Sequence, residues 1–191
     1  NLAAARARFG GGDWLDLSTG INRRPWPIPP LPEAAFRALP DATAFAACAD
    51  AARAAWGAPE GAAMLPVAGA QAAIQLVPRL RLHGRAAVLA PTYNEHAAAF
   101  RAEGWQVVET PSLAGLEGAA AAVVVNPNNP DGRRHPPEAL LALADRVGLL
   151  VVDESFGDVT PELSLVPHAG RPNLLILRSF GKFHGLAGLR L

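Results

Sequence analysis

The sequence predicts an α/β fold in three layers (α/β/α), with helices on both faces of a mostly parallel central sheet. Three observations predict it. Short, wholly apolar runs recur at Ala120–Val125, Leu149–Val152 and Leu174–Leu177, the pattern of strands buried on both faces. Helical patterns separate these runs, as strand–helix–strand crossovers require. The residues that follow the runs are chemically distinctive, as expected where a ligand sits beyond the carboxyl ends of parallel strands.

The elements follow in order. Gly10-Gly11-Gly12 and the proline-dense run from Pro25 to Pro32 read as extended loop. The triple glycine lacks a following Gly-Lys-Ser/Thr and is no phosphate-binding P-loop. Pro32–Leu39 reads as a short helix opened by proline. Ala44–Trp56 is an alanine-rich helix ended by Gly57 and Pro59. Gln71–Leu82 is a helix with Gly69-Ala70 at its entrance, Ala86–Ala90 a strand, Asn94–Glu103 a helix and Trp105–Glu109 a strand. The buried strand Ala120–Val125, the helix Pro137–Val147 and the strands Leu149–Val152 and Leu174–Leu177 complete the alternation. No internal repeat interrupts it.

Composition narrows the function. The chain has 191 residues, half of them hydrophobic, and a formal net charge of zero. No basic excess exists to neutralise a nucleic acid, and no apolar run is long enough to span a bilayer. The single cysteine, Cys48, excludes an internal disulfide framework and a multi-cysteine zinc site, and it fits a reducing, cytoplasmic compartment. The histidines show no metal-ligand spacing, and no metal is expected. The N-terminus lacks the plan of a signal peptide. The chain does not open on methionine and stops within a Gly- and Leu-rich segment, so it reads as a fragment, expected to be inactive alone.

Lysine is used once, at Lys182, in a chain otherwise rich in arginine. One reading is a GC-rich coding bias that turned lysines into arginines and left one by chance. The other is a chemical role, since under such a bias a lysine survives where a neutral amine is needed and arginine cannot give up its proton. The loops after the strands carry the other distinctive groups. Tyr93, the one tyrosine, follows the first strand. Asn126-Pro127-Asn128-Asn129-Pro130-Asp131-Gly132 follows the third, Asp153-Glu154-Ser155-Phe156 the fourth, and Arg178-Ser179-Phe180-Gly181-Lys182 the last. Each has a plain alternative: a turn for the Asn-Pro-Asp-Gly run and a helix cap for the aspartate. Gathered on one rim, they suit a phosphorylated pyridine aldehyde. Its aldehyde needs an amine, its ring nitrogen a carboxylate, its flat ring an aromatic neighbour, and its phosphate backbone N–H groups, hydroxyls and an arginine.

Here the chain, from about Leu15 to Leu191, resembles the fold-type-I pyridoxal 5'-phosphate enzymes, the aspartate aminotransferase superfamily. Asn129-Pro130-Asp131-Gly132 is similar to the family's Asn-Pro-Thr-Gly motif, and Asp153-Glu154-Ser155-Phe156 to its Asp-Glu-Ala-Tyr motif. Ser179 to Lys182, continuing through Gly185 to Arg190, is similar to its Schiff-base lysine segment. The resemblance implies pyridoxal 5'-phosphate as cofactor. It implies Lys182 as the covalent anchor and proton carrier, and Asp153 as partner of the ring nitrogen. Asn129 would donate to the phenolic oxygen and Tyr93 would stack on the ring. Gly69, Ala70, Gln71, Ser179 and Arg190 would hold the phosphate. It further implies a homodimer, with residues 1–40 as an arm and part of a small domain, residues 41–191 as the large cofactor-binding domain, and the rest of the small domain absent from this chain. Two positions depart from the pattern. Phe156 stands where the family often has a tyrosine donor, and Leu39-Pro40-Asp41 stands where a tyrosine reaches the partner's phosphate.

Within the superfamily the lysine segment and Phe156 resemble the threonine-phosphate decarboxylases of cobalamin (vitamin B12) biosynthesis, a lyase group acting on an amino acid phosphate. The histidinol-phosphate aminotransferases are the alternative, and a non-catalytic regulator on the same fold is a third. Gly20 and Asn22, in Asp16-Leu17-Ser18-Thr19-Gly20-Ile21-Asn22, are the candidate substrate contacts in either enzyme. His184 reads as packing ahead of proton shuttle, Arg23-Arg24 as a solvated pair, Cys48 as a small core residue, and the four tryptophans as packing.

Overall fold

In the computed structural model, which describes residues 2–190, β1 (Arg85–Leu89), β2 (Gln106–Thr110), β3 (Ala121–Val125), β4 (Leu150–Asp153) and β5 (Leu174–Leu177) form one sheet. Asn1 and Leu191, the outer limits of the expected segments, lie outside the described residues. The strand order is β2-β1-β3-β4-β5, and every neighbouring pair is parallel. The order reverses direction between β1 and β3, which opens a crevice at the carboxyl ends of those strands. Pairing of Val125 with Asp153, and of Asp153 with Leu177, brings three strand ends level on that rim.

Strand alternation supplies two cores. On one face Ala86, Val88, Val123 and Val151 pack with Ile74 and Val77, with Ala97 and Phe100, and with Trp105. On the other, Ala87, Val124, Leu150 and Val152 meet Leu116, Leu140, Leu143 and Leu165. The helices α4 (Ala70–Leu76) and α5 (Glu95–Ala102) cover the first face, and α6 (Pro137–Ala144) with single-turn 3-10 segments covers the second. The three-layer α/β/α architecture is therefore present.

Several boundaries differ from the sequence reading, each for a local reason. Ahead of the glycine loop stands α1 (Leu2–Phe9), which the sequence reading did not assign; its alanines and arginines are strong helix formers, and the glycines begin only after it. The short helix α2 is one turn, Ala34–Arg37. Helix α3 (Ala42–Trp56) starts early because the Asp41 side chain accepts from Ala44 N at 2.8 Å, and it ends on Gly57 at φ 68°. Helix α4 gives way to a 3-10 turn at Val77–Leu80, where Pro78 cannot donate to the helical ladder. Asp153 is the last residue of β4 and does not sit in the loop after it. No described residue of α3 is buried, so Cys48 is half-exposed and not part of the core.

Candidate active site

The rim encloses a cavity of about 420 Å³, within the size range of small-molecule sites. Its wall takes Gly69, Ala70 and Gln71 from the start of α4, Tyr93 from the loop after β1, and Asn129 from the loop after β3. Asp153 ends β4, and Ser179, Lys182 and Arg190 come from the segment after β5. All nine cofactor contacts expected from the motifs thus line one space. A smaller cavity of about 320 Å³ adjoins it, lined by Gly20, Ile21, Asn22, Phe156, Val159, Lys182 and Phe183. Ile21, Phe156 and Lys182 border both.

Asp153 is 3% exposed. Its Oδ1 accepts from the Ser155 backbone N–H at 2.9 Å, and its Oδ2 lies 2.9 Å from His96 Nε2. Burial pushes this carboxyl upward, but the hydrogen bond and charge from His96, with the Ser155 hydrogen bonds, outweigh it and hold the group below its ordinary value. An ionised carboxylate only accepts, so His96 Nε2 carries the proton in this contact. His96 is a site residue that motif reading missed. The signal was its spacing: it lies three residues after Tyr93, on the first turn of α5, and the two rings meet edge-on at 6.2 Å.

Tyr93 is held by a chain of side chains that also escaped the sequence. Its hydroxyl donates to Gln71 Oε1 at 3.4 Å, and Gln71 Nε2 donates to Glu95 Oε2 at 2.8 Å. Burial, then the Glu95 and Asp153 charges, raise the Tyr93 phenol, which stays neutral. Thr92 Oγ1 donates to Asn128 Oδ1 at 2.6 Å, and Asn128 Nδ2 donates to Pro91 O and Asp131 Oδ1. These bonds fasten the Tyr93 loop to the Asn129 loop.

The Lys182 amine lies 5.7 Å from the Phe156 ring centroid, over a face that attracts a cation. The N-terminal arm straps the lysine segment from outside. Asn22 N–H donates to Lys182 O at 3.0 Å, Asn22 Nδ2 to Phe183 O at 2.8 Å, and Trp26 N–H to His184 O at 2.8 Å. Asn22 Oδ1 also accepts from Arg24 N–H, so much of this side chain's capacity goes to shaping the loop. His184 sits among the rings of Trp26, Phe180 and Phe183 and lines neither cavity, which agrees with packing. Arg23 donates to Asp16 O. Trp105 is core, and Trp56 stacks on Phe180.

On the same cavity wall, Gly69 has φ 78° and ψ 158°, a region essentially reserved for glycine. A Cβ there would stand 2.7 Å from Arg190 Nη2. Backbone and guanidinium therefore approach to form a cradle suited to an anion, and Ser179 lines the same cavity. An amine, a buried ionised acid, an aromatic ring and an anion cradle around one space fit a flat heteroaromatic aldehyde bearing a phosphate.

Comparison with known proteins identifies the family. The family model for class I and II aminotransferases matches residues 13–191. A threonine-phosphate decarboxylase of Sinorhizobium sp is 47% identical over 205 residues, covering 100% of this chain and 60% of that protein. A histidinol-phosphate aminotransferase of Desulfitobacterium hafniense is 33% identical over 129 residues, covering 56% of this chain and 35% of that protein. Among solved structures, the L-threonine-O-3-phosphate decarboxylase of Porphyromonas gingivalis superposes with a TM-score of 0.71 at 25% identity, over 82% of this chain and 53% of that one. The chain thus spans about three fifths of the decarboxylase it matches along its whole length.

Proposed function

The chain belongs to the class I and II aminotransferase family, and from that premise we propose that the protein is a pyridoxal 5'-phosphate-dependent lyase. It decarboxylates L-threonine O-3-phosphate to (R)-1-aminopropan-2-ol O-2-phosphate, a step of cobalamin synthesis. The observation that carries the reading is the single cavity shared by Lys182, the ionised Asp153 and the Gly69–Arg190 cradle. The choice of decarboxylase over aminotransferase is supported by 47% identity along the whole chain, against 33% along 56% of it.

When bound, the cofactor supplies a cationic ring that accepts the electron pair released at the substrate Cα. Lys182 would hold it through the amine, which is afterwards free to carry a proton to Cα. Asp153, kept ionised by His96 and Ser155, would hold the ring nitrogen in its protonated form. Tyr93 would lie against the ring and Asn129 would donate to its phenolic oxygen. Gly69, Ala70, Gln71, Ser179 and Arg190 would bind the phosphate. The wall of Gly20, Ile21, Asn22 and Phe156 would admit substrate to Lys182 and turn its Cα–carboxylate bond.

The same reading takes residues 1–40 as arm and part of the small domain and residues 41–191 as the large domain. It makes the enzyme a cytoplasmic homodimer. The exposed Leu39, Phe36, Leu65 and Trp26 support a partner surface. No helix of the described residues is long and apolar enough to cross a membrane.

The test supplies the full-length protein with threonine phosphate and measures carbon dioxide. A second reaction contains histidinol phosphate and 2-oxoglutarate and measures glutamate. Carbon dioxide in the first supports the proposal; glutamate in the second with a silent first overturns it, and silence in both points to a non-catalytic role.

A further inference from the structure

Strand β4 ends on Asp153 and Glu154 follows it directly, so alternation sends two successive carboxylates to opposite faces. Asp153 follows Val151 toward His96 and the cavity. Glu154 follows Val152 toward Leu165, away from the chemistry, yet it is 1% exposed. Its Oε1 accepts from Leu165 N–H at 2.7 Å, and its Oε2 accepts from Ser164 Oγ at 2.6 Å and from Arg178 Nη1 at 2.8 Å. The Arg178 side chain is 8% exposed. Its Nη2 donates to Asp158 Oδ1 at 2.5 Å, and its guanidinium lies 4.9 Å from the Trp56 ring. Trp56 Nε1 donates to the same Asp158 oxygen at 3.3 Å. Gly157 makes room for the guanidinium: a Cβ there would meet Nη1 at 2.5 Å.

A buried guanidinium between two carboxylates is weak evidence for stability, because packed apolar groups often serve as well; its best-attested use is to select one arrangement among several. What this one selects follows from its place in the chain. Arg178 follows β5 directly and begins the Arg178-Ser179-Phe180-Gly181-Lys182 segment. Its main partner is the neighbour of Asp153. The ion pair thus joins the strand that carries the acid to the segment that carries the amine, on the side of the sheet away from the cavity.

We propose that Arg178 is a positioning residue, which fixes the lysine-bearing segment to β4 through Glu154 and Asp158 and so sets where the Lys182 amine stands relative to the Asp153 carboxylate. It lines neither cavity, and the proposal rests on the cofactor reading given above.

The test uses the full-length holoenzyme with Arg178→Met, Arg178→Lys and Glu154→Gln. Arg171→Met, which removes a pair with Asp145 at the surface, is the control. Four readouts are taken: the thermal midpoint, borohydride-fixable cofactor, the pH titration of the visible absorbance band, and kcat and KM with threonine phosphate. Arg178→Met and Arg178→Lys should retain fixable cofactor, shift the band's pH midpoint and lose about 100-fold in kcat with KM little changed, as misplacement of a catalytic group by about 1 Å does. Lysine should not rescue, since an ammonium cannot reproduce the two-pronged fork. Glu154→Gln should give the same shift at smaller size, and it decides the matter if the arginine variants do not fold. Arg171→Met should match the wild type. An unmoved band and wild-type kcat in Arg178→Lys or Glu154→Gln overturn the positioning role while the cofactor reading stands. A wild-type protein without a fixable band overturns both.

Discussion

Replacing His96 with leucine removes the side chain that donates to Asp153 Oδ2. Nε2 lies 2.9 Å from Oδ2, with the two side chains 2% and 5% exposed, so water offers little substitute. Leucine fills a similar volume and donates nothing, leaving Asp153 with Ser155 alone. Removing one partner of a buried charge pair costs about 3–5 kcal/mol, whereas leaving a buried neutral acceptor unpaired costs about 1–3 kcal/mol. The carboxyl can move from the larger cost to the smaller by taking up a proton, and its pKa sets when it does so. In the wild type the folded value lies below the ordinary 3.8. The pair's stabilisation is therefore fully present above the unfolded value and is lost as pH falls through the lower folded value. In His96→Leu only Ser155 opposes burial, the folded pKa rises, and the variant's deficit relative to the wild type shrinks as pH falls through that raised value. Urea unfolding of the full-length protein at pH 7 and pH 5 should be compared for wild type, His96→Leu, Asp153→Asn and the double variant. His96→Leu should lose about 3 kcal/mol at pH 7. The double variant should lose less than the two singles combined, by at least about 1 kcal/mol. Additivity within about 0.5 kcal/mol would refute the claim that the two groups act as a pair.

Lys182→Ala and Lys182→Arg should each abolish the borohydride-fixable yellow colour; a reducible covalent adduct in either variant would refute the lysine assignment. Asp153→Ala should retain some cofactor and lose most turnover, and undiminished turnover in a steady-state assay would count against its role at the ring nitrogen. Gly69→Ala places a Cβ 2.7 Å from Arg190 Nη2 at a backbone φ of 78°. It should cost about 1–3 kcal/mol of stability and weaken cofactor binding in an equilibrium titration. Wild-type affinity would show that the cradle does not hold the phosphate.

The alternation of apolar runs and helical patterns determined the parallel sheet, because a strand buried on both faces has no polar side to vary. The cavity's principal residues were legible for a related reason. A lone lysine, a lone tyrosine, an acid ending an apolar run and an asparagine-rich turn are each costly or unusual where they stand, and all fall at strand ends. Boundaries were less legible where single side chains decide them, as with the Asp41 cap and Pro78.

Sequence alone therefore pointed to the residue types that line the cavity and to the rim on which they meet, since the strands' common direction and period 2 translate into a shared edge. Tertiary structure alone decided what holds them. His96 reaches Asp153 across 57 positions, Gln71 reaches Glu95 across 24, and Arg178 reaches Glu154 across 24. Such partners leave no periodic trace, because a hydrogen bond between distant segments depends on how layers pack and not on spacing along the chain. The same holds for α3, where Cys48 was expected in the core and which buries none of its described residues.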